Sequence, residues 1–318
     1  MNVLITGVTG FVGRRVAQGL LEDGHRVTGL ARRGITPASV DMFHADIRDR
    51  DAVRRIVAAV APEICVHLAA AASSSVRQGA ATLVNEINVD GTRNVVDALE
   101  RIGAGRMVLF SSAKVFGEVT PREGIDESAA LLGRGIYADS KRAAEGLLRA
   151  RVAAGSLRGT IVRPVPVVGR GNPRSNYASM YRMVRAGFFP LLEGGAARRS
   201  IVFIDNVVTR LRRMLRQDAG ALESYVFSDG SWSVREIVDA MRVVAGYAIC
   251  PILRCHRLIG GMKTVDARIA RRLGKDAWMS RYLDRLTESF VIHPRRFDAA
   301  FGPLVLQPLD REMRRALG

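Results

Sequence analysis

Tyr137 and Lys141, in the stretch "YADSK", are four residues apart in a chain that seldom uses lysine. Of 48 Lys+Arg residues only four are lysine, at positions 114, 141, 263 and 275. Six tyrosines and four lysines in 318 residues would generate a Tyr-x-x-x-Lys pair by chance about 0.08 times. On a helix, i and i+4 share a face, so the two side chains lie together. A free phenol titrates near 10 and is a weak base at neutral pH. A cation about 4 Å away, at an effective dielectric of about 20, favours the phenolate by up to roughly 4 kcal/mol. Lys141 is therefore expected to bring Tyr137 down toward neutral pH and make it a proton-transfer group.

A second constellation is "TGVTGFVG" (6–13), between the apolar run "NVLIT" (2–6) and the helically spaced "FVGRRVAQGLLEDG" (11–24). Gly7 suits a tight turn, Gly10 lets the backbone approach a pyrophosphate, and Gly13 lets the helix pack closely on the sheet. A helix opening at Phe11 and Val12 offers free N–H groups and a positive dipole end to phosphates. At the end of the next apolar run, "HRVTGLA" (25–31), an NAD-binding chain carries a carboxylate for the adenosine ribose. Here Ala31, Arg32 and Arg33 stand instead, which suits the 2′-phosphate of NADP(H); NAD(H) is the other dinucleotide the loop admits. A compact ammonium at 141 serves the tyrosine and the ribose hydroxyls of such a cofactor together, a geometry a guanidinium fork fits poorly.

The elements that must position these residues alternate along the chain. Strand-like runs "DMFHADI" (41–47), "EICVHLAA" (63–70), "RMVLFSS" (106–112) and "GTIVRPV" (159–165) are separated by helical patterns. Those helices are "DAVRRIVAAV" (51–60), a long one over about 80–102, and one starting near Tyr137. The expected fold is α/β: a Rossmann-type doubly wound parallel sheet with helices on both faces. Beyond "GRGNPRSN" (169–176) the rhythm changes to short strands ("SIVFI", "SYVFS") among helices, one opening with the capping box of Ser233 and Glu236. Residues 1–168 are read as the NADP-binding domain. Residues 169–318 are read as a smaller, C-terminal mixed α/β substrate lobe, some segments of which return to the main sheet.

Composition sets outer bounds. Hydrophobic residues make up 48% and charged residues 25%, ample for a globular core. The opening "MNVLITGVTG" has neither basic leader nor long apolar stretch, and no apolar run reaches the roughly 18 residues of a membrane span. A cytoplasmic protein with no membrane partner is expected, and the three cysteines make a disulfide framework implausible. Cys250, Cys255 and His256 match no paired zinc knuckle, and the two cysteines read as buried residues on a strand, so no metal is expected. The net charge of +17 is spread through amphipathic helices and not gathered in a basic arm. It is read as attraction for phosphorylated small molecules, with no nucleic-acid partner.

"TGVTGFVG", "YADSK" and the serine of "SSAKVFG" together resemble an extended short-chain dehydrogenase/reductase of the nucleotide-sugar epimerase/dehydratase/reductase group. "DIRD", "HLAA", "NVDGTRN" (88–94), "VRPVPVVGRG" (162–171), "RSIVFIDNV" (199–207) and the C-terminal "RRFDAAFGPLVLQPLDREMRRAL" extend the resemblance along the chain. The resemblance implies that Ser112 hydrogen-bonds the reacting oxygen, Tyr137 relays the proton and Lys141 orients the ribose. It places Asp46 and Ile47 by the adenine, and Leu68, Ala69, Ala70, Pro164 and Val165 along the cofactor. It places Ser73, Ser74, Ser112, Lys114 and Arg199 toward substrate, with Arg199 on a diphosphate. His67 is read as a packed core histidine, and a homodimer through the helices near 80–102 and 137–152 is implied.

Two departures narrow the chemistry. Pro166 stands where many nucleotide-sugar members carry an asparagine, and Ala113-Lys114 replaces the Asp-Glu pair of the dehydratases, removing the acid and base of water elimination. The expected activity is an NADPH-dependent ketoreductase acting on a nucleotide-linked 4-keto-6-deoxy sugar. The alternatives are a nucleotide-sugar 4-epimerase holding NAD tightly, a sterol- or flavonoid-type dehydrogenase, and a non-catalytic NADP-sensing regulator or scaffold. The intact Ser112/Tyr137/Lys141 set argues against the last.

Overall fold

A computed structural model describes residues 1–318 except 35–38, 72–80, 104, 173–174, 188, 190, 218–221, 247–251, 254–264, 267, 269–282 and 284–285. In chain order the first half runs β1 (Asn2–Thr6), α1 (Phe11–Glu22), β2 (Arg26–Ala31), β3 (Asp41–His44), α2 (Arg50–Val60), β4 (Ile64–His67), α3 (Ala81–Asn85), α4 (Gly91–Arg101), β5 (Arg106–Phe110), α5 (Ile136–Ala153) and β6 (Arg158–Pro164). The second half runs β7 (Val167–Val168), α6 (Asn176–Arg185), β8 (Leu191–Leu192), β9 (Arg198–Phe203), α7 (Ile204–Arg216), β10 (Leu222–Phe227), β11 (Gly230–Ser233), α8 (Val234–Ala245), β12 (Ile252–Leu253), α9 (Arg295–Phe301) and α10 (Leu309–Leu317).

Seven parallel strands form the main sheet in the order β10-β6-β5-β4-β1-β2-β3. The order reverses between β1 and β4, so a crevice opens beyond the carboxyl ends of these strands, where doubly wound sheets bind ligands. Both faces of β1 are covered: Val3, Leu4 and Ile5 have no exposure, as a continuous apolar run in a parallel sheet requires. One face packs on α1 and α7 through Val16, Leu20, Val207, Leu211 and Met214. The other packs on α2, α4 and α5 through Val53, Val57, Val95, Leu99, Ala144 and Leu148. The amphipathic spacing of these helices is what lets each bury one stripe.

The smaller lobe holds a three-stranded sheet, β11-β9-β7, and a two-stranded pair, β8 with β12. Its own core joins α6, α8 and α10 through Tyr177, Val184, Ile237, Val238, Met241 and Met313. The capping box at Ser233 and Glu236 forms as the spacing predicts.

"SYVFS" lies in β10, which pairs in parallel with β6 at the edge of the main sheet, so this segment of the second half returns to that sheet. One expectation is corrected. The long helix over 80–102 is interrupted by a π-helical turn, Glu86–Asp90, between α3 and α4. Apolar periodicity continues through such a turn, so the pattern alone does not show it.

Candidate active site

The glycine loop folds as its sequence demands. Gly7 sits at φ +70°, in the left-handed region that only glycine enters freely. A Cβ there would lie 2.7 Å from the Ala69 backbone nitrogen, so the loop abuts the end of β4 without room for a side chain. The Gly7 N–H donates to the Leu30 carbonyl at 2.8 Å, and Gly10 N–H donates back to the Gly7 carbonyl at 2.9 Å. At Gly13 a Cβ would lie 2.3 Å from the Gly7 oxygen and 2.8 Å from Val8 Cα. The need for glycine at 13 thus comes from the loop's own backbone, not from helix packing on the sheet. α1 starts after Gly10 with no side-chain cap and no acidic residue in its first turn. Its free N–H groups, with Phe11 and Val12 half-buried beside them, form a backbone cradle fit for a pyrophosphate.

Around this cradle, Ala31 is buried at the end of β2, while Arg32 and Arg33 are exposed. The Arg33 carbonyl accepts from Thr9 Oγ1 at 3.2 Å, tying it to the loop. Arg32 Nη1 lies 4.0 Å from Asp46 Oδ2. Hydrogen bonds from the Arg48 side chain and N–H hold the Asp46 carboxyl below its usual range. Ile47 is buried against Gly91, where a Cβ would come within 2.5 Å of it. Leu68 and Ala69 are half-buried and Ala70 exposed, directly past β4. Pro164 is half-buried and Val165 buried at the end of β6, so these segments all converge on the carboxyl edge of the sheet.

Ser112 leaves β5 as the cap of a 3-10 turn, Ala113–Phe116, its Oγ accepting from the Lys114 N–H at 3.2 Å. Tyr137 lies in the first turn of α5. Burial pushes its phenol up, and a hydrogen bond with Ser112 opposes that rise. Lys141 is 4% exposed, and its Nζ donates to the Phe110 carbonyl at 2.8 Å. Burial lowers its ammonium to about 8, with the Glu145 carboxylate acting the other way. The expected lowering of Tyr137 by Lys141 is therefore corrected: the ammonium is directed at a main-chain oxygen, desolvation prevails, and the phenol keeps its proton at neutral pH.

Behind the pair lies a buried ion pair that sequence reasoning misses. Arg163 donates Nε and Nη2 to the two Glu145 oxygens at 3.0 and 2.7 Å and lies over the Phe116 ring at 5.0 Å. Glu145 is one further i+4 step from Lys141, which is the available signal. Asn88 is missed as well, although it opens the "NVDGTRN" motif. Its amide exchanges hydrogen bonds with Ala71 (2.7 and 3.1 Å) and donates to Ser140 Oγ at 3.0 Å, clamping the exit of β4 to α5.

His67 is a packed core residue, as expected, held between Thr6 Oγ1 at 2.7 Å and Thr92 Oγ1 at 3.0 Å. Burial, with a contribution from Lys141, lowers it to about 3, so it stays neutral. Lys114 Nζ is 3.4 Å from Glu118 and 6.0 Å from the centre of the Tyr137 ring. Arg199, half-buried on β9, sits near enough to Tyr177 to oppose the burial that pushes that phenol up to about 12. The exposed Pro166 is fixed through its carbonyl, which accepts from Val202 N–H at 3.1 Å. Ser73, Ser74, Cys250, Cys255 and His256 lie outside the described residues. Among the described residues no group of three or more His, Cys, Asp or Glu is placed to hold a metal, and no helix is long and apolar enough to cross a membrane.

The arrangement can bind a dinucleotide at the crevice and move a proton at the Tyr137 hydroxyl. A profile described as the NAD dependent epimerase/dehydratase family matches residues 3–227. The chain is 28% identical over 230 residues to the N-acetyl-alpha-D-glucosaminyl-diphospho-ditrans,octacis-undecaprenol 4-epimerase of Escherichia coli O157:H7, covering 72% of this chain and 67% of that one. It is 31% identical over 215 residues to the 3-diazoavenalumate denitrifying reductase of a Streptomyces species, covering 65% and 70%. Among solved structures, the Thermus thermophilus UDP-glucose 4-epimerase complex with NAD superposes with a TM-score of 0.77 at 23% identity, covering 100% of this chain and 98% of that one. The chain belongs to the NAD dependent epimerase/dehydratase family of NAD(P)-dependent, oxidoreductase-type enzymes.

Proposed function

We propose that this enzyme is an NADPH-dependent reductase of a ketone on a sugar carried through a diphosphate, the carrier being a nucleotide or a polyprenol. Nucleotide-linked 4-keto-6-deoxy sugars are the first substrates to assay. The observation that carries the reading is the end of β2, where two exposed guanidinium groups stand in place of a carboxylate. This favours a 2′-phosphate over a bare ribose. The raised phenol of Tyr137 adds to it, because reduction of a carbonyl calls for an acid at that position. The diphosphate is assigned to Arg199.

The glycine loop would hold the pyrophosphate, Arg32 and Arg33 the 2′-phosphate, and Asp46 and Ile47 the adenine end. Leu68, Ala69, Ala70, Pro164 and Val165 would flank the dinucleotide, and Lys141 would bind its ribose. When bound, NADPH supplies the hydride that reaches the carbonyl carbon. Tyr137 donates its phenolic proton to the carbonyl oxygen, and Ser112 donates a hydrogen bond to the same oxygen. Lys114 lies beside the ring of Tyr137 and is assigned to the substrate. The Asn88 clamp and the Glu145–Arg163 pair hold α5 so that these groups keep their places.

A second reading, a 4-epimerase with tightly held NAD, is favoured by the names of the Escherichia coli relative and the Thermus structure. It uses the same Tyr137 as base and then acid. The test is NADPH consumption with keto-sugar nucleotides by the wild type and Tyr137→Phe. The expected result is net oxidation of NADPH, lowered at least about 10²-fold in the variant with cofactor binding intact. Interconversion of 4-epimers without net NADPH consumption, by protein that purifies with NAD, would replace the reductase with the epimerase.

A further inference from the structure

We propose that the arginine-bearing face of α6 docks this enzyme on an anionic lipid bilayer, presenting its site to a sugar carried on a membrane-embedded polyprenyl diphosphate. The proposal rests on the diphosphate-linked substrate proposed above and selects between its two carriers.

Charge is distributed unevenly along the chain. Residues 169–318 contain 26 Lys+Arg against 14 Asp+Glu, so most of the net +17 resides there. From Gly146 to Leu192 there are eight arginines and not one carboxylate. α6 lies within this interval. It turns Tyr177 and Val184 into the lobe core and leaves Arg182 and Arg185 exposed on its outer side. Met180, Tyr181 and Met183 are half-buried beside them, packed on the same core.

Many arginines elsewhere in the protein are held by carboxylates, as in Arg48 with Asp46 and Glu86, or Arg212 with Asp23, and others by backbone carbonyls, as in Arg213 with Pro303 and Arg235 with Gly194. Among the described residues no carboxylate pairs with Arg170, Arg182 or Arg185, and Arg182 bonds only Ser179 Oγ, at 3.0 Å. Positive charge left without a local counter-ion on the outer side of one helix complements phosphate headgroups at a bilayer surface.

The start of α6 lies near the candidate site. The segment leading into it packs on the glycine-loop helix: a Cβ at Gly169 would lie 3.1 Å from the Phe11 ring and one at Gly171 3.6 Å from it. Tyr177, in the first turn of α6, feels the charge of Arg199. A duplex nucleic acid would gain from the same charge but offers no carrier for the diphosphate-linked sugar proposed above.

The test uses the full-length protein and phosphatidylcholine vesicles with and without phosphatidylglycerol, read by co-sedimentation across a salt series. The wild type is expected to sediment with the anionic vesicles, to be released by salt and to ignore phosphatidylcholine alone. Arg182→Glu/Arg185→Glu is expected to lose at least about tenfold in vesicle affinity, with unchanged thermal midpoint and unchanged dissociation constant for NADPH. Equal sedimentation of wild type and variant, or none with anionic vesicles, overturns the docking. Release of the wild type from vesicles by duplex DNA at equimolar phosphate assigns the face to nucleic acid and overturns it too. The catalytic reading is judged separately by NADPH turnover and Tyr137→Phe, so full turnover without vesicle binding removes the docking alone.

Discussion

Lys141 Nζ donates to the Phe110 carbonyl at 2.8 Å from a side chain that is 4% exposed. An ammonium in that position costs folding energy, because its pKa drops from 10.5 in the unfolded chain to about 8 in the fold. Between those values the unfolded chain binds more protons, so this group makes stability rise with pH across that window and imposes its full penalty below it. The penalty near neutral pH is on the order of 3 kcal/mol. Lys141→Met removes it but leaves the Phe110 oxygen without this donor, a loss of about 1–3 kcal/mol. We expect the variant to be more stable near neutral pH by about 1–2 kcal/mol, to lose that advantage toward pH 10, and to be inactive. Denaturant unfolding at both pH values, with a turnover assay, checks this; a variant less stable than wild type at neutral pH would show that the ammonium stabilises the fold.

The exposed pair at the end of β2 makes a second prediction. Arg32→Ala/Arg33→Ala should weaken NADPH binding by a few kcal/mol, the scale of lost charge-assisted hydrogen bonds, and spare NADH. Titrating both dinucleotides against the variant measures the difference. Equal losses would show that these arginines do not read the 2′-phosphate.

How much of this was legible follows from distance along the chain. The Tyr137/Lys141 pairing and the turn at Gly7 are local features, set by helical spacing and a strand-to-helix junction, and the sequence displays both. The destination of the Lys141 ammonium is not local: Phe110 lies 31 residues away on another element. Hydrophobic alternation identifies "SYVFS" as a strand but carries no information on which sheet it joins. The Asn88 clamp is hidden for a related reason, since a polar residue inside a helical pattern looks solvent-facing until its partners on two other segments are known.

Glu127 shows how the segment between Ser112 and Tyr137 is anchored. Its carboxylate is buried and accepts from Val226 N–H on the edge strand at 3.1 Å. It also accepts from Arg296 and Phe297 N–H at the start of α9, at 3.1 and 3.4 Å. Glu127→Ala leaves three backbone donors without this acceptor and should destabilise the protein by about 2–4 kcal/mol. Chemical denaturation measures it. A loss below about 1 kcal/mol would mean that these N–H groups find other partners.

Lys114 lies two residues beyond Ser112, with its Nζ 6.0 Å from the centre of the Tyr137 ring. Glu118, at 3.4 Å, holds the ammonium at the mouth of the site, and both side chains keep partial contact with solvent. A substrate hydroxyl, carboxylate or phosphate arriving beside Tyr137 would receive a charge-assisted hydrogen bond from it, worth roughly 1.5–3 kcal/mol. Lys114→Ala should therefore lower kcat/KM for the true substrate about 10- to 150-fold and leave the dissociation constant for NADPH unchanged. Both quantities come from one variant, and they separate the outcomes. Unchanged kcat/KM would remove Lys114 from the substrate contacts, and weakened NADPH binding would assign it to the cofactor.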